Sequence, residues 1–171
     1  RALVLFAVDD CNKAVIAAAG SVPLLVDLVE HGSVGAKEQA CWALTNLAVN
    51  PCLRRVIAEA SGVETLLLAV VEDDGSDLCQ AMAAAALANM AWDDDTAAII
   101  MGMGAIDALV DLERSGSALV KEMVAWALGN LACSSPDVRL ALAGAGAIPP
   151  PIELLRSGTY GARARAGRAL A

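Results

Sequence analysis

Three asparagines, Asn46, Asn89 and Asn130, recur at intervals of 43 and 41 residues. Two of them stand four residues after a tryptophan, in Trp42-Ala43-Leu44-Thr45-Asn46 and Trp126-Ala127-Leu128-Gly129-Asn130, and a carboxylate, Glu38 or Glu122, precedes each tryptophan by four more. A side-chain amide both donates and accepts, so it can pair with the backbone of an extended peptide. An indole face attracts the stem and charge of a lysine or arginine. This is the chemistry of recognition. For catalysis the chain is poorly supplied: His31 is its one histidine and falls in a helix-end His-Gly turn, where a cation suits the helix dipole. The five cysteines, Cys11, Cys41, Cys52, Cys79 and Cys133, form no C-x-x-C pair. With no Ser-His-acid set, no phosphate loop and no metal-ligand spacing, no catalytic residue, no metal and no cofactor is expected.

The elements that must position these residues repeat with them. Gly20, Gly62, Gly104 and Gly146 lie 42 residues apart, and each opens an apolar segment. A fixed period of this size marks a stacked helical array. Each unit reads as a short helix, a medium helix entered through the glycine turn, and a long helix carrying the asparagine. The expected units are 9–49, 50–92, 93–134 and a truncated 135–171, with 1–8 as the end of a preceding third helix. Asp9, Asn50 and Asp93 are N-cap residues, and Pro51 takes a first helical position that needs no N–H. An extra residue near Glu72-Asp73-Asp74-Gly75 and one fewer after Trp92 account for the uneven asparagine spacing. Pro149-Pro150-Pro151 delays the second helix of the last unit, Pro151 standing where Leu25, Leu67 and Leu109 stand.

At about 100° per residue, Ala40, Ala43, Leu44 and Leu47 share one face of the first long helix. Trp42 and Glu38 fall on the other side of Asn46, which places the asparagine at the non-core edge. Trp92, at the end of its helix, reads as core or seam.

Composition fits this picture: 57% of the residues are apolar and only 3% aromatic, which suits helices packed closely through small side chains. The odd number of cysteines on helices implies a reducing compartment, cytoplasmic with the nucleus as the alternative. No apolar run reaches the roughly 18 residues of a membrane span. The net charge is −8, and no lysine or arginine occurs from Val56 to Glu113, a stretch that holds twelve carboxylates. Such a field attracts basic ligands and repels nucleic acid, although most of these carboxylates read as helix caps and solvated faces. Arg156, Arg163, Arg165 and Arg168 form a basic patch near the end. Neither end has the polar capping unit that solenoids carry, so the array is expected to continue in both directions, and the isolated piece to self-associate or fray.

The shared period, together with Gly146-Ala-Ile-Pro-Pro150, the Arg-Ser-Gly turns at 114–116 and 156–158, Lys37-Glu38-Gln39-Ala40 and Trp42-Ala-Leu-Thr-Asn46-Leu-Ala, resembles the armadillo repeat across the whole chain. The resemblance implies an all-α fold, a right-handed superhelical solenoid of three-helix units whose third helices line a concave groove. It further implies that Trp42, Asn46, Asn89, Trp126, Asn130, Glu38 and Glu122 contact an extended peptide there. Trp-x-x-x-Asn is similar to the motif with which importin alpha brackets basic side chains. The middle unit departs from it with Ala85, the opening partial unit with Arg1 and Leu5, and the last unit with Arg168. The expected function is a non-catalytic scaffold that binds an extended segment of another protein, a basic one by preference. An importin-like receptor of nuclear localisation signals and the substrate-recruiting array of a larger ubiquitin ligase are the alternatives.

Overall fold

A computed structural model describes residues 10–71, 76–133, 136–147 and 156. Ten helices lie in this range: α1 (Asp10–Ala18), α2 (Ser21–His31), α3 (Val34–Ala48), α4 (Pro51–Glu59), α5 (Gly62–Val71), α6 (Asp77–Met90), α7 (Asp94–Gly102), α8 (Ala105–Ser115), α9 (Ala118–Ala132) and α10 (Pro136–Gly144). There is no strand among the described residues. The expectations for residues 1–8, Asp9, the 72–75 insertion, Pro149 to Pro151 and the terminal arginines other than Arg156 lie outside the described residues.

The helices stack in three files. The long helices α3, α6 and α9 pack most extensively on one another, the medium helices α2, α5 and α8 stack beside them, and the short helices bridge successive units. Small side chains make the long-helix file possible. Ala83, Ala84, Ala85 and Ala86 are all buried in α6, and alanine lets two neighbouring helices approach α6 on both sides at no cost in propensity. Ala40, Ala43, Leu44 and Leu47 are buried on α3 as the helical wheel predicts.

The helix ends use side chains from their neighbours. Asn50 accepts from the Cys52 amide at 3.0 Å and Asp93 from the Thr96 amide at 3.1 Å, capping α4 and α7. Each short helix in turn satisfies the carbonyls that the preceding long helix leaves open. Arg54 Nε donates to Ala48 O at 3.0 Å, the Thr96 hydroxyl donates to Met90 O, and Arg139 donates to Ala132 O at 3.1 Å.

The glycine turns differ from the sequence expectation in the second unit. Gly20, Gly104 and Gly146 have φ of 73°, 72° and 77°, but the left-handed residue before α5 is Ser61, at φ 60°, and Gly62 is already helical. The unit turns one residue earlier than its glycine suggests, so Leu66, not Leu67, is the counterpart of Leu25 and Leu109. Gly62 answers to a different constraint, because a Cβ there would lie 2.5 Å from Ile57 Cγ2 and 2.6 Å from Ile57 O. The two neighbouring residues therefore predict opposite responses. Ser61→Gly should stabilise the chain by about 1 kcal/mol by removing left-handed strain, and Gly62→Ala should destabilise it by roughly 1–3 kcal/mol through overpacking. Urea denaturation of the two variants checks the register; a Ser61→Gly variant less stable than the parent would restore the turn to Gly62.

Candidate functional site

The candidate site is the exposed edge of the long-helix file, built from residues spaced by four and so stacked on one helix face. On α3 this stripe is Glu38, Trp42 and Asn46, and on α9 it is Glu122, Trp126 and Asn130. On α6 the same positions hold Ala81, Ala85 and Asn89. Trp42 is 42% exposed, whereas Trp126 is half-buried and packs against the core. Ala81 and Ala85 are buried, so the middle of the stripe presents no large side chain. Trp92, expected in the core or the seam, is exposed instead. It lies in the turn between α6 and α7.

The asparagines form a ladder, but a buried one. Asn89 Nδ2 donates to Thr45 O at 3.0 Å and Asn130 Nδ2 donates to Ala88 O at 2.6 Å, so each amide bonds to the long helix of the unit before it. Asn130 is only 1% exposed and Asn89 is also buried, while Asn46 is half-buried. The expectation of a non-core edge is thus corrected for Asn89 and Asn130: a wheel drawn for one helix omits the neighbouring helix, whose backbone covers that edge. Thr45 strengthens the same seam by donating to Met82 O at 2.8 Å. What the ladder leaves over is acceptor capacity, since Asn130 Oδ1 is buried without a hydrogen-bond partner.

Glu38 is also engaged across units, accepting from the Ser76 hydroxyl at 2.5 Å. Ser76 meanwhile accepts from the Cys79 amide at 3.1 Å to cap α6. Glu122 is half-buried on α9. The structure therefore brings Trp42, Asn46 and Glu38 together on one helix, and Trp126, Asn130 and Glu122 on another, with Asn89 between them.

One residue that sequence reasoning misplaced is Glu113. Counted among the solvated carboxylates, it is 2% exposed, and neither of its oxygens has a hydrogen-bond partner. Counting from the left-handed residue of each unit, it stands where Val29 and Val70 fill the core. Burial pushes its pKa up to about 8, against a weak opposing pull from Arg114 and Lys121. The helical period alone held this signal, because position 113 falls on the buried face with Ile106, Leu109 and Val110.

No group of three or more potential metal ligands occurs among the described residues, and no single helix there is long and apolar enough to cross a membrane.

Comparison with known proteins gives a consistent family. The model of the armadillo/beta-catenin-like repeat matches residues 9–49 and 93–133. Human armadillo repeat-containing protein 3 is 31% identical over 154 residues, which is 88% of this chain but 17% of that protein. The chain thus spans about one sixth of the length of that relative. Among solved structures, a designed armadillo repeat protein in complex with the peptide (KR)4 superposes with a TM-score of 0.91 at 26% identity, covering 99% of this chain and 72% of that one. An engineered protein superposes with a TM-score of 0.92 at 31% identity, covering 99% and 69%.

Proposed function

Since the chain belongs to the armadillo repeat family, we propose that it is a non-catalytic scaffold that holds an extended peptide along its long-helix file. The observation that carries this reading is Trp42. A large apolar ring left 42% exposed beside Glu38 contributes little to the core, yet it is well placed to stack on the stem of a basic side chain while the carboxylate meets its charge. That a designed armadillo repeat protein of the same fold is found in complex with the peptide (KR)4 supports a basic ligand. The acidic stretch from Val56 to Glu113 adds long-range attraction. Asn130 Oδ1, buried and unpartnered, would be satisfied by a peptide N–H that displaces its cover, so the asparagines act in this reading as acceptors. The amide donors of Asn89 and Asn130 already belong to the stack. An importin-like receptor would need a third tryptophan where Ala85 is buried, which favours the general scaffold. Cys41, Cys52, Cys79 and Cys133 form no disulfide, and the buried Cys41 and Cys79 sulfurs lie 3.7 Å apart without a covalent bond, which favours a reducing compartment.

The test is a fluorescence titration with labelled extended peptides of alternating lysine and arginine, alternating glutamate and serine, and a neutral serine-glycine control. The basic peptide should bind best, with affinity falling as salt rises. Trp42→Ala with Trp126→Ala should weaken it by roughly 1–3 kcal/mol in total, as two cation–π contacts predict. Binding that ignores peptide charge and the double substitution alike would remove the proposed site.

A further inference from the structure

A second exposed surface owes nothing to the long helices. Between the medium helices α5 and α8 lies an open apolar cleft of about 420 Å³, lined by Leu67, Leu68, Val71, Met103 and Ala108 with Glu64 at its rim. Its size is within the range of sites that take a side chain cluster or a small ligand. The departure is in the repeat pattern. Counted from the left-handed residues Gly20, Ser61 and Gly104, Leu68 stands where the other units have Asp27 and Asp111, and Val71 where they have Glu30 and Arg114. These are solvent positions, since Leu68 is 51% and Val71 49% exposed. Met103, also exposed, replaces the Ala19 and Ala60 of the other units. Two positions that carry charged residues in the other units have acquired aliphatic ones, a third has exchanged alanine for methionine, and all three line one cleft.

We propose that this cleft is a docking surface for a basic amphipathic helix of a partner protein. Charge complementarity selects that occupant. Glu64 and Asp107 occupy equivalent positions on α5 and α8, both exposed, and no lysine or arginine occurs between Val56 and Glu113. The apolar floor would take leucine-like side chains spaced three and four apart on the incoming helix, and Glu64 at the rim would meet a lysine or arginine beside them. Met103 supplies an adaptable wall. The surface lies on the medium-helix file, so it can be occupied together with the long-helix file, and the inference stands independently of the proposed function.

The test uses the whole chain and a labelled helical peptide with leucines at i, i+3, i+4 and i+7 and lysine or arginine elsewhere, followed by fluorescence anisotropy. Leu68→Asp with Val71→Glu restores residue types that the first unit already carries at those positions, so folding should be retained, as circular dichroism would verify. This double variant is more acidic, which by itself strengthens binding of a basic peptide. A loss of at least tenfold in affinity, measured in a Trp42→Ala background so that the long-helix edge does not contribute, would therefore come from the apolar floor. Unchanged binding by the folded double variant, or equal binding of a glutamate-bearing version of the peptide, would overturn the proposal. So would a concentration-dependent dimer that dissociates in the double variant without any peptide affinity, because the occupant would then be a second copy of the chain.

Discussion

Glu113→Val should make the protein more stable at neutral pH, by on the order of 4 kcal/mol, because it replaces a buried carboxylate that must hold a proton with the residue type that the other units use. With a folded pKa of about 8 against the ordinary glutamate value of 4.5, each unit of difference corresponds to about 1.4 kcal/mol. The sign follows from linkage. A carboxyl whose folded pKa is raised favours the folded state while both states are protonated, below about pH 4.5, and that contribution is lost as pH rises toward 8. The unsubstituted protein should therefore lose urea stability between pH 5 and pH 8 beyond what Glu113→Gln loses, and the difference between the two curves isolates this one group. For a chain of this size the valine variant should melt on the order of 10 °C higher at pH 7.5. Parallel pH curves for the protein and its glutamine variant would show that Glu113 is solvated.

The second large effect is expected at Asn130. Its Nδ2 donates to Ala88 O inside a seam that leaves the residue 1% exposed. Asn130→Ala removes that bond and strands a carbonyl, at a cost of about 1–3 kcal/mol. Asn130→Asp is worse at neutral pH, because it sets a buried carboxylate against a carbonyl oxygen, with a penalty of about 3 kcal/mol or more. Lowering the pH should return part of that loss, since a protonated carboxyl can again donate to Ala88 O. Thermal denaturation of both variants at pH 5 and pH 7.5 provides the check. If the aspartate variant is as stable as the parent at pH 7.5, the side chain faces solvent and does not stitch the stack.

These two residues also mark where the sequence stops being legible. The helical period places Leu44 and Leu47 in the core, the cap residues Asn50 and Asp93 start their helices, and the repeated asparagine predicts a solenoid; all of these are properties of one helix or one turn. Asn89 and Asn130 depend on what the next helix covers, which a wheel drawn for a single helix does not contain, whereas Glu113 was hidden by its residue type, a carboxylate on a face that the helical period already marks as buried. The turn at Ser61 was hidden for another reason. Gly62 keeps the period of the other glycines, and only the clash that a Cβ would make with Ile57 separates a glycine chosen for close approach from one chosen for left-handed backbone. The apolar cleft was invisible for a related reason, because Leu68 and Val71 look like core residues until α5 is registered one residue earlier.

The central claim is that the long-helix file, with Trp42 at its exposed edge, receives an extended basic peptide. It is tested most directly by backbone amide shifts in an isotope-labelled chain titrated with an alternating lysine-arginine peptide. Shifts concentrated on α3, α6 and α9 around Trp42, Asn89 and Trp126, saturating with the peptide and weakening with salt, are the predicted result. Shifts confined to Leu68, Val71 and Met103, or none on the long helices at saturation, would contradict it.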